Sequence, residues 1–168
     1  MINNFEELLL LKINVSRLDD TGLTNIKAET EDWYKSLDDG LLDKMSPIER
    51  IMRIILIDLE ERLEAQFCVD KPILNVKSQY KIKNYRADFF VELFSCNGNK
   101  YIIECDGHDF HEKTKEQAKY DKQRERIFVQ NGYKVLRYSG SEIYKDFESI
   151  TQELFDIFSN EYAEAENE

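Results

Sequence analysis

Long apolar runs are missing from this sequence. Nowhere do the roughly 20 consecutive apolar residues needed to cross a bilayer occur, which excludes a membrane helix. The longest run near the start, Leu8–Leu11, follows two acidic residues and is too short for a signal peptide. Cysteine is scarce as well. Cys68, Cys96 and Cys105 are scattered and odd in number, so they give neither a disulfide framework nor the paired spacing of a zinc site. A reducing cytoplasm is the compartment this implies. There are no internal repeats and no linker that divides the 168 residues, a length that allows one ordinary domain plus an extra helical element. With 42% apolar and 34% charged residues, the composition is that of a folded rather than a disordered chain.

Positive charge is also in deficit. The net charge of −11 argues against a nucleic-acid partner, because polyanions repel. The distribution reverses that conclusion. Between Lys71 and Arg137 there are 14 Lys and Arg against 9 Asp and Glu, which leaves 9 against 25 for the rest of the chain. The acidity belongs to the ends, and the middle can hold a phosphate backbone.

What is present is a clear order of elements. Residues 1–45 read as an acidic helical extension: Phe5, Leu8, Leu9 and Ile13 recur at helical spacing, and Trp33 and Leu37 mark a second amphipathic stretch. The extension is either a cap on the main domain or an arm for a basic protein partner. Ser46-Pro47-Ile48-Glu49 combines a capping box with proline at the first helical position, and Ile48, Ile51, Met52, Ile55, Leu59 and Leu63 then form one apolar stripe. Lys71-Pro72 ends that pattern. Extended runs over Ile73–Ile82 and Tyr85–Phe94, joined at Lys83-Asn84, are followed after Asn97-Gly98-Asn99 by a third, Lys100–Asp106. Thr114 and Gln117 form a second capping box for a helix to Gln130, which Asn131-Gly132 closes. Tyr133–Tyr138 is a fourth strand. Phe147, Ile150, Leu154 and Phe158 define a last helix, with Glu142 near its start, and Glu161–Glu168 reads as a frayed acidic tail. The expectation is an α/β fold in the order α-β-β-β-α-β-α, with a central mixed four-stranded sheet in a domain over residues 46–160.

Carboxylates stand where strands meet. Asp88 lies among apolar residues of the second strand, and Glu104 and Asp106 end the third. The last two are two residues apart and share a face. Carboxylates in apolar strands are costly unless paired, and a hard divalent cation is an apt partner. The plainer alternative is a set of edge carboxylates in salt bridges with Arg86 or Lys100. One geometric condition follows. A strict two-residue turn at Asn97-Gly98 sets Glu104 opposite Val91, three positions or ~10 Å from Asp88, too far to share a metal. A shared metal therefore requires a longer loop beginning at Ser95, or a bulge.

The segment Asp88 … Glu104-Cys105-Asp106-Gly107 resembles the D…ExK pattern of the PD-(D/E)XK nuclease superfamily. More narrowly, Glu104 to His111 resembles the E-x-D-G-x-x-H of the branch related to very-short-patch-repair endonucleases, with His111 one residue beyond the motif's last position. Asp121-Lys122-Gln123-Arg124 resembles its D-x-x-R helix, Gly132 to Tyr138 its G-[WY]-x-V-[LI]-R strand, and Ser46 to Glu49 the start of its first helix. The likeness spans about residues 46–158. It implies a restriction-endonuclease-like core with helices on both faces of the sheet, a Mg²⁺-dependent site in which Mn²⁺ can substitute, and DNA as substrate.

On that basis Asp88 and Glu104 hold the metal, with Asp106 and the backbone carbonyl of Cys105 as further ligands; the Cys105 side chain reads as core packing. The superfamily lysine is replaced by Asp106, so either Asp106 serves as ligand or base, or a cation arrives from elsewhere. Lys115, Lys119, Lys122 and Arg126 form one basic helical stripe, either a grip on phosphates or a solvated face, from which Lys119 or Lys122 could reach the site. His111, and after it His108, are candidates for proton handling or phosphate contact; otherwise they cap the strand end. Gly107 is expected to allow a sharp backbone exit. Glu49 either serves its capping box alone or also presents a carboxylate to the site. Arg124 holds a site carboxylate, a phosphate or a structural ion pair, and Gln79 and Tyr80 could approach from the first strand. The function expected is a metal-dependent DNA endonuclease, as a homodimer where both strands are cut. The alternatives are a catalytically silent DNA-binding or assembly subunit and, less in keeping with the basic middle, an acidic DNA mimic.

Overall fold

A computed structural model describes residues 45–94, 99–107 and 114–166. The two amphipathic stretches of the N-terminal extension, His108 and His111 and the Asn97-Gly98 turn lie outside these residues. Residues 46–168 form one compact unit.

Helix α1 (Pro47–Phe67) begins where its capping chemistry places it. The Ser46 hydroxyl accepts from the Glu49 N–H at 3.4 Å, and a Glu49 carboxylate oxygen accepts in return from the Ser46 N–H at 3.4 Å. The helix buries Ile51, Met52, Ile54, Ile55, Leu56, Leu59 and Leu63, and Cys68 closes it in the left-handed conformation. Strands β1 (Leu74–Ile82) and β2 (Tyr85–Leu93) pair antiparallel, with Ile82 opposite Tyr85 and so a two-residue turn between them. β2 pairs antiparallel with β3 (Lys100–Asp106), and β3 pairs parallel with β4 (Lys134–Ser139). The sheet is mixed, in the order β1-β2-β3-β4. The parallel step requires a crossover, supplied by α2 (Lys115–Gln130). Gly132, at φ +82°, releases the chain from α2, its N–H bonding back to the Val129 carbonyl at 3.0 Å.

The two faces of the sheet are covered by different helices. Phe128 of α2 packs with Ile82, Ala87, Phe90 and Ile102, and Tyr80, Tyr85, Tyr133 and Val135 border this cluster. On the other face Tyr101, adjacent to Ile102 and so pointing away from α2, meets Phe158 with tilted rings 4.9 Å apart. Phe158 belongs to α4 (Phe147–Glu166), which packs beside α1.

Two details differ from the sequence reading. A separate short helix, α3 (Gly140–Lys145), precedes α4, because Ser139 and Glu142 make their own capping box and Asp146 then leaves helical geometry at φ −142°. Nor does an acidic tail fray from Glu161. The helix runs on to Glu166, since Tyr162 is 3% exposed with its ring 4.5 Å from that of Phe67, and Glu161 is held by Tyr101 and Lys134.

Candidate active site at the splayed end of β2 and β3

The register of the sheet sets four polar residues level with one another. Gln79 and Asp88 fall between the paired rungs Ser78–Phe89 and Tyr80–Ala87. Asp88 and Glu104 lie one step past the last rung of β2 and β3, Phe89–Ile103, and Glu104 is opposite Arg137 on β4. The sheet is irregular at this row. Gln79 has φ 53°, a strained value for a side chain other than glycine. Ala87 and Phe90 both face α2 although three residues apart, so the alternation of faces changes over at Asp88–Phe89.

The required departure from a tight hairpin is present. Val91 is opposite Tyr101, not Glu104, and the Leu93 N–H bonds the Asn99 carbonyl at 3.3 Å across a longer loop. This three-residue difference in register brings Glu104 level with Asp88.

Each acid is held differently. Asp88 Oδ2 accepts the Cys105 N–H at 2.8 Å, taking a backbone donor that lies beyond the end of the β2–β3 ladder. Glu104 is 1% exposed; one oxygen meets Nη2 of Arg124, and the other, Oε1, has no hydrogen-bond partner among the described residues. Asp106 is gripped by Arg137 at both oxygens, 2.9 Å from Nε and 2.8 Å from Nη2. Arg137 also reaches Glu125 at 3.5 Å. Glu49 has a role beyond its cap, for its Oε2 accepts from Nε2 of Gln79 at 2.8 Å.

Burial and mutual repulsion act on the central pair. Burial, reinforced by the charge of Glu49, pushes Asp88 up to about 6 despite the bond from Cys105. Burial and the charge of Asp88 push Glu104 up to about 7 despite Arg124. The Cys105 thiol is driven up by burial and by the surrounding acids, so it stays neutral and acts as core packing. Arg137 is raised above its usual value by its bond to Asp106.

The donor chemistry suits a hard cation. Carboxylate oxygens dominate, one of them buried without a partner. Mg²⁺ needs only one or two carboxylates because it retains several waters. Among the described residues no three Asp, Glu, Cys or His groups are clustered closely enough to enclose a metal, and Asp106 is bonded to Arg137.

Helix α2 presents two faces here. Lys115, Lys119, Lys122 and Arg126 are exposed along one side, whereas Arg124, two residues or ~200° from Lys122, turns inward to Glu104. The place offered to Lys122 is thus taken by Arg124. Gly107 has an ordinary φ and no atom near an added Cβ, so its backbone exit does not require glycine. Of the two β1 residues, Gln79 reaches the site and Tyr80 stacks on Phe90 instead. Nothing in the sequence alone points Arg137 to the site. Its signal was a charged residue inside a strand, but only the parallel pairing with β3 reveals its target.

No curated protein and no solved structure matches the chain. The sequence model of the restriction endonuclease-like family REase_MTES_1575 matches residues 68–158, just over half of the length and including Asp88, Glu104, Asp106, Arg124 and Arg137. By that match, and with a fold that agrees, the chain belongs to this restriction endonuclease-like family.

Proposed function

We propose that the chain is a Mg²⁺-dependent endonuclease that hydrolyses phosphodiester bonds in DNA, with Mn²⁺ as a working substitute. The observation that carries this reading is the Asp88–Glu104 pair, level on neighbouring strands, raised in pKa, with a buried oxygen that has no partner among the described residues. Asp88, Glu104 and the Cys105 carbonyl would hold the cation, which supplies activation of water and stabilisation of charge on the phosphate.

The remaining work falls to the chain. Arg124 and Arg137 bring to the site the positive charge that the motif lysine would have brought. A guanidinium fork suits phosphate oxygens as well as carboxylates, so each arginine can exchange its acid for substrate. Glu49 and Gln79 brace the α1 side of the site. The exposed stripe of Lys115, Lys119, Lys122 and Arg126 takes phosphates farther along the backbone. His111, with His108 beside it, is assigned proton handling from the motif. Kinship with the very-short-patch-repair branch, and a role in restriction, repair or defence against mobile DNA, belong to the same proposal.

The test uses supercoiled plasmid and single-stranded DNA with Mg²⁺, Mn²⁺ or EDTA, alongside Asp88→Ala and Glu104→Ala. Metal-dependent cutting that both variants lose supports the reading; cutting that survives both overturns it. A second reading, a silent DNA-binding or assembly subunit, is favoured by one observation: Glu104 and Asp106 are each already neutralised by an arginine. DNA binding without cutting under any metal would decide for it.

A further inference from the structure

The β1–β2 hairpin carries charge in an unusual arrangement. From Lys71 to Ala87 there are five Lys and Arg and no Asp or Glu, in a chain with net charge −11. Two of the five, Lys81 and Arg86, are directly opposite each other on the paired strands, and both are exposed. Like charges facing across a strand pair weaken it. Among the described residues neither has a carboxylate partner to offset that cost. A third cation, Lys83, is exposed at the turn.

The placement of this pair matters more than its charge. Tyr80 and Ile82, and likewise Tyr85 and Ala87, face α2, so Lys81 and Arg86 between them face the opposite way. That is the side on which Gln79 meets Glu49 of α1, and Asp88, next to Ala87, shares it, while Glu104 is met from the α2 side by Arg124. The Lys81–Arg86 rung lies two positions along the strands from the level of Gln79 and Asp88, or ~7 Å. This is on the order of the distance between neighbouring phosphates on one nucleic-acid strand.

We propose that Lys81 and Arg86 together form a phosphate-binding site for duplex DNA, holding the backbone next to the phosphate that the Asp88–Glu104 pair addresses. The inference rests on the nuclease reading, and it locates the path of the substrate strand along the hairpin rather than along α2 alone. The repulsion between the two cations is relieved when a polyanion lies across them, so affinity for DNA offsets the strain in the free hairpin.

The experiment measures binding of the full chain to a fluorescein-labelled DNA duplex by anisotropy across a salt series, with Ca²⁺ in place of Mg²⁺. Lys81→Gln combined with Arg86→Gln should raise Kd roughly tenfold and lower the salt slope by about two, one for each lost phosphate contact. Its melting temperature should be unchanged or higher. Arg86→Glu provides a variant whose fold is secured by a new attractive pair with Lys81; it should melt no lower than the wild type and bind DNA more weakly still. The swap of Lys81→Arg with Arg86→Lys should retain affinity. If the wild type binds and Arg86→Glu binds equally well with the same salt slope, the phosphate site is overturned while the nuclease reading survives. If the wild type binds no duplex under any condition, the phosphate site is overturned, and the cutting of single-stranded DNA then decides the nuclease reading by itself.

Discussion

The two oxygens of Glu104 are in different circumstances: one faces a guanidinium, and the other is buried with nothing to accept from among the described residues. With Asp88 beside it, the ionised form of this pair is disfavoured in the folded protein. Both acids bind protons more tightly folded than unfolded, at about 6 and about 7 against ordinary values of 3.8 and 4.5. Their contribution to stability is therefore most favourable below the ordinary values and is lost as pH rises to about 7. Without divalent metal, the melting temperature of the wild type should fall relative to Asp88→Asn between pH 5 and pH 8. Added Mg²⁺ should raise it more at pH 8 than at pH 5.5; calorimetry showing the reverse order would refute the assignment of these acids as its ligands. Asp106 and Arg137 make a second residue-scale prediction. Arg137→Ala strands a mostly buried carboxylate and should cost ~1–3 kcal/mol in urea unfolding. Asp106→Lys, which restores the family's lysine by name, instead sets two cations against each other. It should destabilise, and adding Arg137→Asp should recover most of the loss, a coupling that a double-mutant cycle reads directly.

At the level of elements, α4 shows how packing overrides composition. The last residues are rich in glutamate and resemble a solvated tail, yet Tyr162 is buried against Phe67. Truncation after Asn160 should cost ~1.5–3 kcal/mol, the burial of one large side chain, and would be neutral if the end were frayed. The elements themselves were legible because their signals are local. Capping boxes at Ser46 and Thr114, Gly132 after α2 and the two-residue turn at Lys83-Asn84 each act within a few residues. The acids of the site were legible for the same reason, as charges inside apolar strands. The partners of those acids were not. That Arg124 rather than Lys122 turns inward depends on how α2 rotates over the sheet, and that Arg137 meets Asp106 depends on a parallel pairing made through a crossover helix. The positive φ of Gln79 has no side-chain signature at all.

The whole molecule is an acidic chain in which the β1–β2 hairpin and helix α2 together carry nine of the 23 Lys and Arg. Among the described residues no helix is long and apolar enough to cross a membrane. Each copy offers one carboxylate row, and on the nuclease reading proposed above one row addresses one phosphodiester at a time. Plasmid should accordingly be nicked with a rate first order in protein and linearised with a higher order, unless the chain is already a homodimer; a time course at several protein concentrations separates the two. The row itself takes one residue from every strand: Gln79, Asp88, Glu104 and Arg137. The first three are synthesised well before the fourth, and α2 must form between them. A chain still emerging from the ribosome thus carries the acids without Arg137 and without the docked β4 that completes the sheet. On the nuclease reading proposed above, the site is therefore completed only once translation has passed β4, and a chain still being made lacks the finished row.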